Sequence, residues 1–131
     1  MEKALGIGGF FFRSRDPKAL AKWYAENLGV SEVPQDYETE GWRQSGGTTV
    51  FAPFHQDTEY IGDPEKQWMI NFRVRNLDAI AAQLEAAGTK VEIETEIYPN
   101  GRFARLVDPE GNPIQLWEPA GISKDTEEAT A

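Results

Sequence analysis

The pattern Arg13-Ser14-Arg15-Asp16 returns sixty residues later as Arg73-Val74-Arg75-Asn76, and this repeat constrains the fold more than any other feature of the chain. Each copy follows an apolar, strand-like run, Ile7 to Phe12 and then Trp68 to Phe72. Each also precedes a helix start. Asp16 before Pro17, and Asn76 before Leu77, place a side-chain acceptor where the first backbone N–H groups of a helix lack partners. Leu20, Trp23, Tyr24 and Leu28 recur at helical spacing in the first copy, and Leu77, Ile80, Leu84 and Ala87 in the second. Gly29 and Gly88 are the expected stops, because glycine adopts the left-handed closing conformation at little cost.

Three short strand candidates follow each stop. In the first half they are Val30 to Val33, Gly41 to Ser45 and Thr48 to Phe54; in the second, Lys90 to Glu94, Arg102 to Val107 and Pro113 to Glu118. Gly46-Gly47 fits a two-residue hairpin turn, and Asp108-Pro109-Glu110-Gly111-Asn112 a longer one. Each half thus reads β-α-β-β-β. The expected architecture is one α+β domain over residues 1–119, with module one at 5–55, a linker at 56–66 and module two at 67–119. Residues 120–131 read as an acidic, flexible tail. About 60 residues make a marginal core alone. The modules are therefore expected to bury their faces against each other or against a second copy, as a homodimer.

Composition narrows the partners. The 13 basic residues face 22 acidic ones, a net charge of −9, which repels phosphate backbones and anionic lipid and argues against nucleic acid and membrane partners. No apolar run approaches the ~20 residues that span a bilayer, and the first residues do not read as a secretory signal. Cysteine is absent, which removes disulfides, thiolate metal sites and cysteine nucleophiles and fits a reducing, cytoplasmic setting. Phosphate-loop, nucleophile-elbow and zinc-finger patterns are absent too.

The paired modules, the helix opening Asp16-Pro17-Lys18-Ala19-Leu20-Ala21-Lys22-Trp23-Tyr24 with Leu28-Gly29 after it, and the late Asp108-Pro109-Glu110-Gly111-Asn112-Pro113-Ile114-Gln115-Leu116 resemble the vicinal oxygen chelate superfamily. That group includes glyoxalase I, bleomycin resistance proteins and extradiol dioxygenases. The resemblance, covering about residues 5 to 119, implies two modules forming a cupped mixed sheet. In metal-dependent members it also implies one divalent ion held by His, Glu or Gln from four strand positions. Aligned on Asp16, Asn76 and the late turn, those positions fall on Gly9, Phe51, Met69 and Gln115. Only Gln115 offers a side-chain oxygen, and methionine is a soft thioether, so neither a metal nor another cofactor is expected. His55 reads as a solvated loop side chain. Glu118, three residues from Gln115, falls on the opposite sheet face.

If those four positions point into the cup, strand alternation brings Phe11, Trp42, Gln44, Asn71, Phe103, Arg105 and Trp117 with them. Pairing across the second turn sets Arg105 opposite Gln115 and Phe103 opposite Trp117. Gly9 leaves room where other members place an imidazole. The set is mostly apolar and aromatic with a few directional polar groups, the inventory of a small-molecule pocket. Flat rings favour a planar ligand, and Arg105 offers a fork of donors. The competing reading is that these rings pack on one another and fill the cup.

The leading expectation is thus a metal-free protein of the bleomycin-resistance kind, which binds a small aromatic compound without transforming it and has no catalytic residue. The alternative is a glyoxalase-like lyase, isomerase or dioxygenase that draws a divalent metal from non-standard ligands. Family chemistry of that kind polarises an oxygen through the metal, and no general base stands in the expected cup.

Overall fold

Asp16 opens the first helix by accepting from the Ala19 backbone N–H at 3.2 Å, with Pro17 in the first turn. In the computed structural model, which describes residues 1–124, this helix, α1, spans Pro17–Leu28 and closes at Gly29 with φ 71°. Leu20 and Tyr24 are its buried positions, flanked by Trp23 and Leu28. Helix α2 spans Leu77–Ala86, opened by Asn76, whose side chain accepts from Ala79 N–H at 3.0 Å. Its buried stripe is Leu77, Ala81 and Leu84. Ala87, expected on that stripe, is the exposed closing residue, because the helix stops one position earlier.

The strands of the sheet are β1 (Ile70–Arg73), β2 (Glu92–Ile93), β3 (Gly101–Val107) and β4 (Pro113–Pro119), in the order β1-β4-β3-β2. Strand β4 runs parallel to β1 and antiparallel to β3, so the sheet is mixed. Val107 pairs with Pro113, Arg105 with Gln115 and Phe103 with Trp117, the register that the late turn dictates. Module two is therefore a complete β-α-β-β-β unit. Its apolar face, Ala104, Leu106, Ile114 and Leu116, joins Leu77, Ala81 and Leu84 of α2 and Leu20 and Tyr24 of α1 in one core. Leu77, Leu84, Ile114 and Leu116 are fully buried, each contributing about 1.5–3 kcal/mol.

The late turn also anchors α1. Asp108 Oδ1 accepts from the backbone N–H of Glu110 and Asn112, and Oδ2 from the Asn112 side chain at 2.7 Å. The Tyr24 hydroxyl donates to the same Oδ2 at 2.7 Å. Burial first, then this bond and the nearby carboxylate charge, push the Tyr24 hydroxyl well above the usual phenol range. Glu110 accepts from the Ser14 hydroxyl and from the Arg15 and Asp16 N–H groups, just before the helix. Those bonds, that from Ser14 foremost, hold its carboxyl below the ordinary glutamate range. Glu118 plays the matching part for α2, accepting from Leu77 N–H at 2.8 Å.

Module one departs from expectation. Ile7 to Phe12, Val30 to Val33, Gly41 to Ser45 and Thr48 to Phe54 carry no strand ladder, and Gly46 and Gly47 do not take the positive φ of a hairpin turn. A two-stranded hairpin is marginal alone. Here Gly46-Gly47 has no side chain to tie the turn, and Ser45, Thr48 and Thr49 add little apolar surface. The Ser45 and Gly46 carbonyls instead accept from the Arg73 guanidinium, at 2.6 and 3.0 Å. Phe10 and Phe12 reach the rest of the protein through ring contacts with Trp68, and Phe12 also lies edge-on to Tyr24. Gly121–Ser123 form a single 3-10 turn at the start of the expected tail, and residues 125–131 lie outside the described ones. Among the described residues no helix is long and apolar enough to cross a membrane.

Candidate functional site

Alternation along β1, β3 and β4 leaves Asn71, Phe103, Arg105, Gln115 and Trp117 on the sheet face opposite the core. Register then sorts them into two rows. Asn71, Gln115 and Arg105 lie side by side, and Phe103 and Trp117 form the next row.

The polar row is fully engaged. Asn71 Nδ2 donates to Gln115 Oε1 at 2.7 Å, and Gln115 Nε2 donates to the Tyr60 hydroxyl at 2.6 Å. Arg105 donates to the Tyr60 carbonyl and touches Met69 Sδ at 3.5 Å. Its guanidinium carbon stands 4.7 Å from the centroid of the Tyr60 ring, a cation–π arrangement. In the aromatic row, Phe103 and Trp117 lie parallel, 4° apart in plane with centroids 6.1 Å apart. The Trp117 indole, 3% exposed, donates to the Asn100 carbonyl at 2.8 Å, and Tyr98 meets Phe103 edge-on. Gly101 permits this packing. At φ +136°, a Cβ there would stand 2.2 Å from the Glu118 carbonyl oxygen and 2.8 Å from the indole nitrogen.

The expected first-module residues take another arrangement. Gly9, Phe11, Trp42, Gln44 and Phe51 border the same open trough as Met69, Asn71, Phe103, Gln115 and Trp117, while Arg105 is outside its lining. That trough encloses about 2950 Å³, several times the ~300–1,000 Å³ of a typical ligand pocket. It brings the two groups to one hollow without closing one on the other. Phe11 and Phe51 are 92% and 85% exposed. The room expected beside Gly9 is taken by the Phe11 ring, whose Cζ would stand 2.8 Å from a Cβ at Gly9. Trp42 meets Phe72, a residue of the core side, at 6.3 Å, instead of joining Gln115. The alternation expected for these residues needs a ladder, and the ladder is missing.

Tyr60 is the residue that sequence reasoning passed over. It sits in the linker, where Tyr60-Ile61 is an apolar pair inside an otherwise polar, turn-forming stretch, and that contrast was the available signal. His55, just before that stretch, is exposed, and its Nδ1 accepts from Asp57 N–H at 3.2 Å.

The donor set does not fit a divalent ion. Among the described residues no three His, Cys, Asp or Glu side chains come together. Gln115 Oε1, the single oxygen at the four positions implied by the resemblance, already accepts from Asn71. Glu118 is spent on the start of α2.

A mixed sheet backed by two helices, with a polar and aromatic floor on its open face, is the frame of the glyoxalase/bleomycin resistance fold. The sequence profile of the glyoxalase-like domain matches residues 9–117, and the chain belongs to that family. Among solved structures, a glyoxylase/bleomycin resistance protein/dioxygenase domain from Frankia sp. EAN1pec superposes with a TM-score of 0.59 at 18% identity, covering 89% of this chain and 99% of that one. TnmS3, an antibiotic binding protein from Streptomyces sp. CB03234, gives a TM-score of 0.53 at 23% identity, with 80% of this chain and 88% of that one covered. A superfamily member from Sphaerobacter thermophilus DSM 20745 gives 0.50 at 22% identity, with 79% and 88% covered. These likenesses establish the shared fold. Comparison with curated proteins gives no significant match.

Proposed function

We propose that the chain is a metal-free binding protein for a small, planar aromatic compound, acting as a homodimer and without transforming its ligand. The observation that carries this reading is the sheet face itself, where the half-buried Phe103 ring, backed by the parallel and buried Trp117 ring, adjoins the Asn71–Gln115–Arg105 row. Stacking surface beside directional donors is what orients a flat ligand. The solved relative that is an antibiotic binding protein supports the same class of role. Module one supplies the opposite wall once a second copy covers it, because its backbone lacks ladder partners and Val50, Phe51 and Phe11 are exposed.

Titration of planar aromatic compounds into the purified protein, followed by tryptophan fluorescence, tests the reading. Saturable quenching is expected, weakened at least about tenfold by Phe103→Ala, as loss of one ring contact implies. The same sample should sediment as a dimer and contain far less than one divalent ion per chain. Absence of quenching across a broad set, or stoichiometric nickel, zinc, manganese or iron, overturns it.

A further inference from the structure

The linker does more than join the halves: it places a phenol on the polar floor. Tyr60 rides on a succession of short turns, with Thr58 N–H donating to the His55 carbonyl, Gly62 N–H to Glu59 and Lys66 N–H to Asp63. These bonds are local to the strap. Tyr60 itself is fixed to the sheet through Gln115 at its hydroxyl and through Arg105 at its ring and carbonyl. Phe54 meets the ring edge-on at 5.7 Å. Gln115 is 7% exposed, and Asn71 holds the other end of its amide, so a single polar position is left for whatever lies above it.

We infer that Tyr60 is a built-in stand-in for the ligand, and that the site selects hydroxyaromatic compounds, which must lift Tyr60 away to bind. This rests on the aromatic-binding reading and narrows it. The chemistry of the position fixes the class. A phenolic oxygen both donates and accepts, so it satisfies Gln115 whichever end of the amide faces it. An aromatic ring beneath a guanidinium gains from the cation, and an electron-rich phenol gains more than an unsubstituted ring. A neutral hydrocarbon in the same place leaves the Nε2 end of the buried Gln115 amide without a partner, which penalises it. The strap supplies the gate. It is tied down by the Tyr60 contacts and, at its far end, by Lys66 Nζ donating to Asn112 Oδ1 at 3.4 Å, so lifting Tyr60 costs its hydroxyl, ring and carbonyl contacts, and apparent affinity falls by the fraction of time Tyr60 is seated.

The test uses p-cresol, which is the tyrosine side chain as a free molecule, with toluene as the hydroxyl-free control. Binding to the full-length wild type, Tyr60→Gly and Tyr60→Phe is measured by calorimetry and tryptophan fluorescence, with circular dichroism confirming folding. Tyr60→Gly should bind p-cresol at least about tenfold more tightly than wild type, the gain expected when a seated competitor is removed. Tyr60→Phe, which keeps the ring and loses the hydroxyl, should show a smaller gain and serves if the glycine variant does not fold. Toluene should bind neither variant measurably, and Gln115→Leu in the Tyr60→Gly background should abolish the gain. Equal or tighter p-cresol binding by wild type makes Tyr60 a wall and overturns the inference, as does equal binding of toluene. If other planar aromatics still titrate the wild type while p-cresol gains nothing in either variant, the phenol assignment falls and the broader binding role stands.

Discussion

Gly46-Gly47 and Asp108 to Asn112 occupy matching places in the two halves, yet only the second forms a hairpin turn. Asp108 ties the second with acceptor bonds from two backbone N–H groups and from Asn112, and Gly111 supplies its left-handed residue at φ 81°. Gly46-Gly47 has no comparable side chain, and its neighbouring carbonyls turn to Arg73. A helix in this fold is secured by its own caps and one apolar stripe, whereas a hairpin needs either a tied turn or a sheet already waiting. Both helices form, because each has its capping side chain and receives a carboxylate from the β3–β4 hairpin. The sheet forms once.

The two halves should differ most when core side chains are truncated. Leu116→Ala, at a fully buried position of β4, should cost about 2–5 kcal/mol in urea unfolding, while Val50→Ala in the exposed segment should stay within about 0.5 kcal/mol. Comparable losses would place residues 41–54 in the same cooperative unit as module two and erase the contrast.

A smaller effect should follow from Tyr24→Phe, which takes the hydroxyl from Asp108 and leaves the rest of the turn in place. About 1–2 kcal/mol is expected. Amide hydrogen exchange should quicken in α1 more than in β3 and β4, showing that this bond docks the helix and does not build the hairpin.

Smallest is the acid response of Glu110. Its carboxyl titrates below its ordinary value in the folded chain, so the stabilisation it gives is full above the ordinary glutamate range and is lost as pH falls through the lowered folded value. Residues Ser14 to Asp16 should therefore lose exchange protection below about pH 4, near the ordinary glutamate value. Glu110→Gln should be slightly less stable at neutral pH and lack that acid step. A variant with the wild-type pH profile would assign the acid response to another carboxylate.

Much of this was legible in the residues. Caps at Asp16 and Asn76, stops at Gly29 and Gly88, and the pairing of Arg105 with Gln115 follow from local chemistry and from a turn that fixes its own register. Gly88 takes the left-handed position at φ 97° just after the closing residue Ala87, even though the helix ends slightly earlier than its apolar stripe suggests. What did not follow was non-local. Alternation puts Phe51 and Trp42 in the cup only if a partner strand exists, and the sequence carries no statement of where that partner is. Tyr60 was hidden for the opposite reason: its stretch has strong turn signals, so its side chain read as loop, although its contacts are with β3 and β4 far along the chain.

The anchoring of α1 also bears on how the protein is made. The bonds from Ser14 and Arg15 to Glu110, and from Tyr24 to Asp108, join residues 96, 95 and 84 positions apart. A ribosome delivers Phe10, Phe11, Phe12 and Trp23 long before the hairpin that receives α1 has been synthesised. During translation that aromatic leading portion stays sticky and unsupported until nearly the last strand emerges, so this is the stretch for which newborn chains most need chaperone shelter.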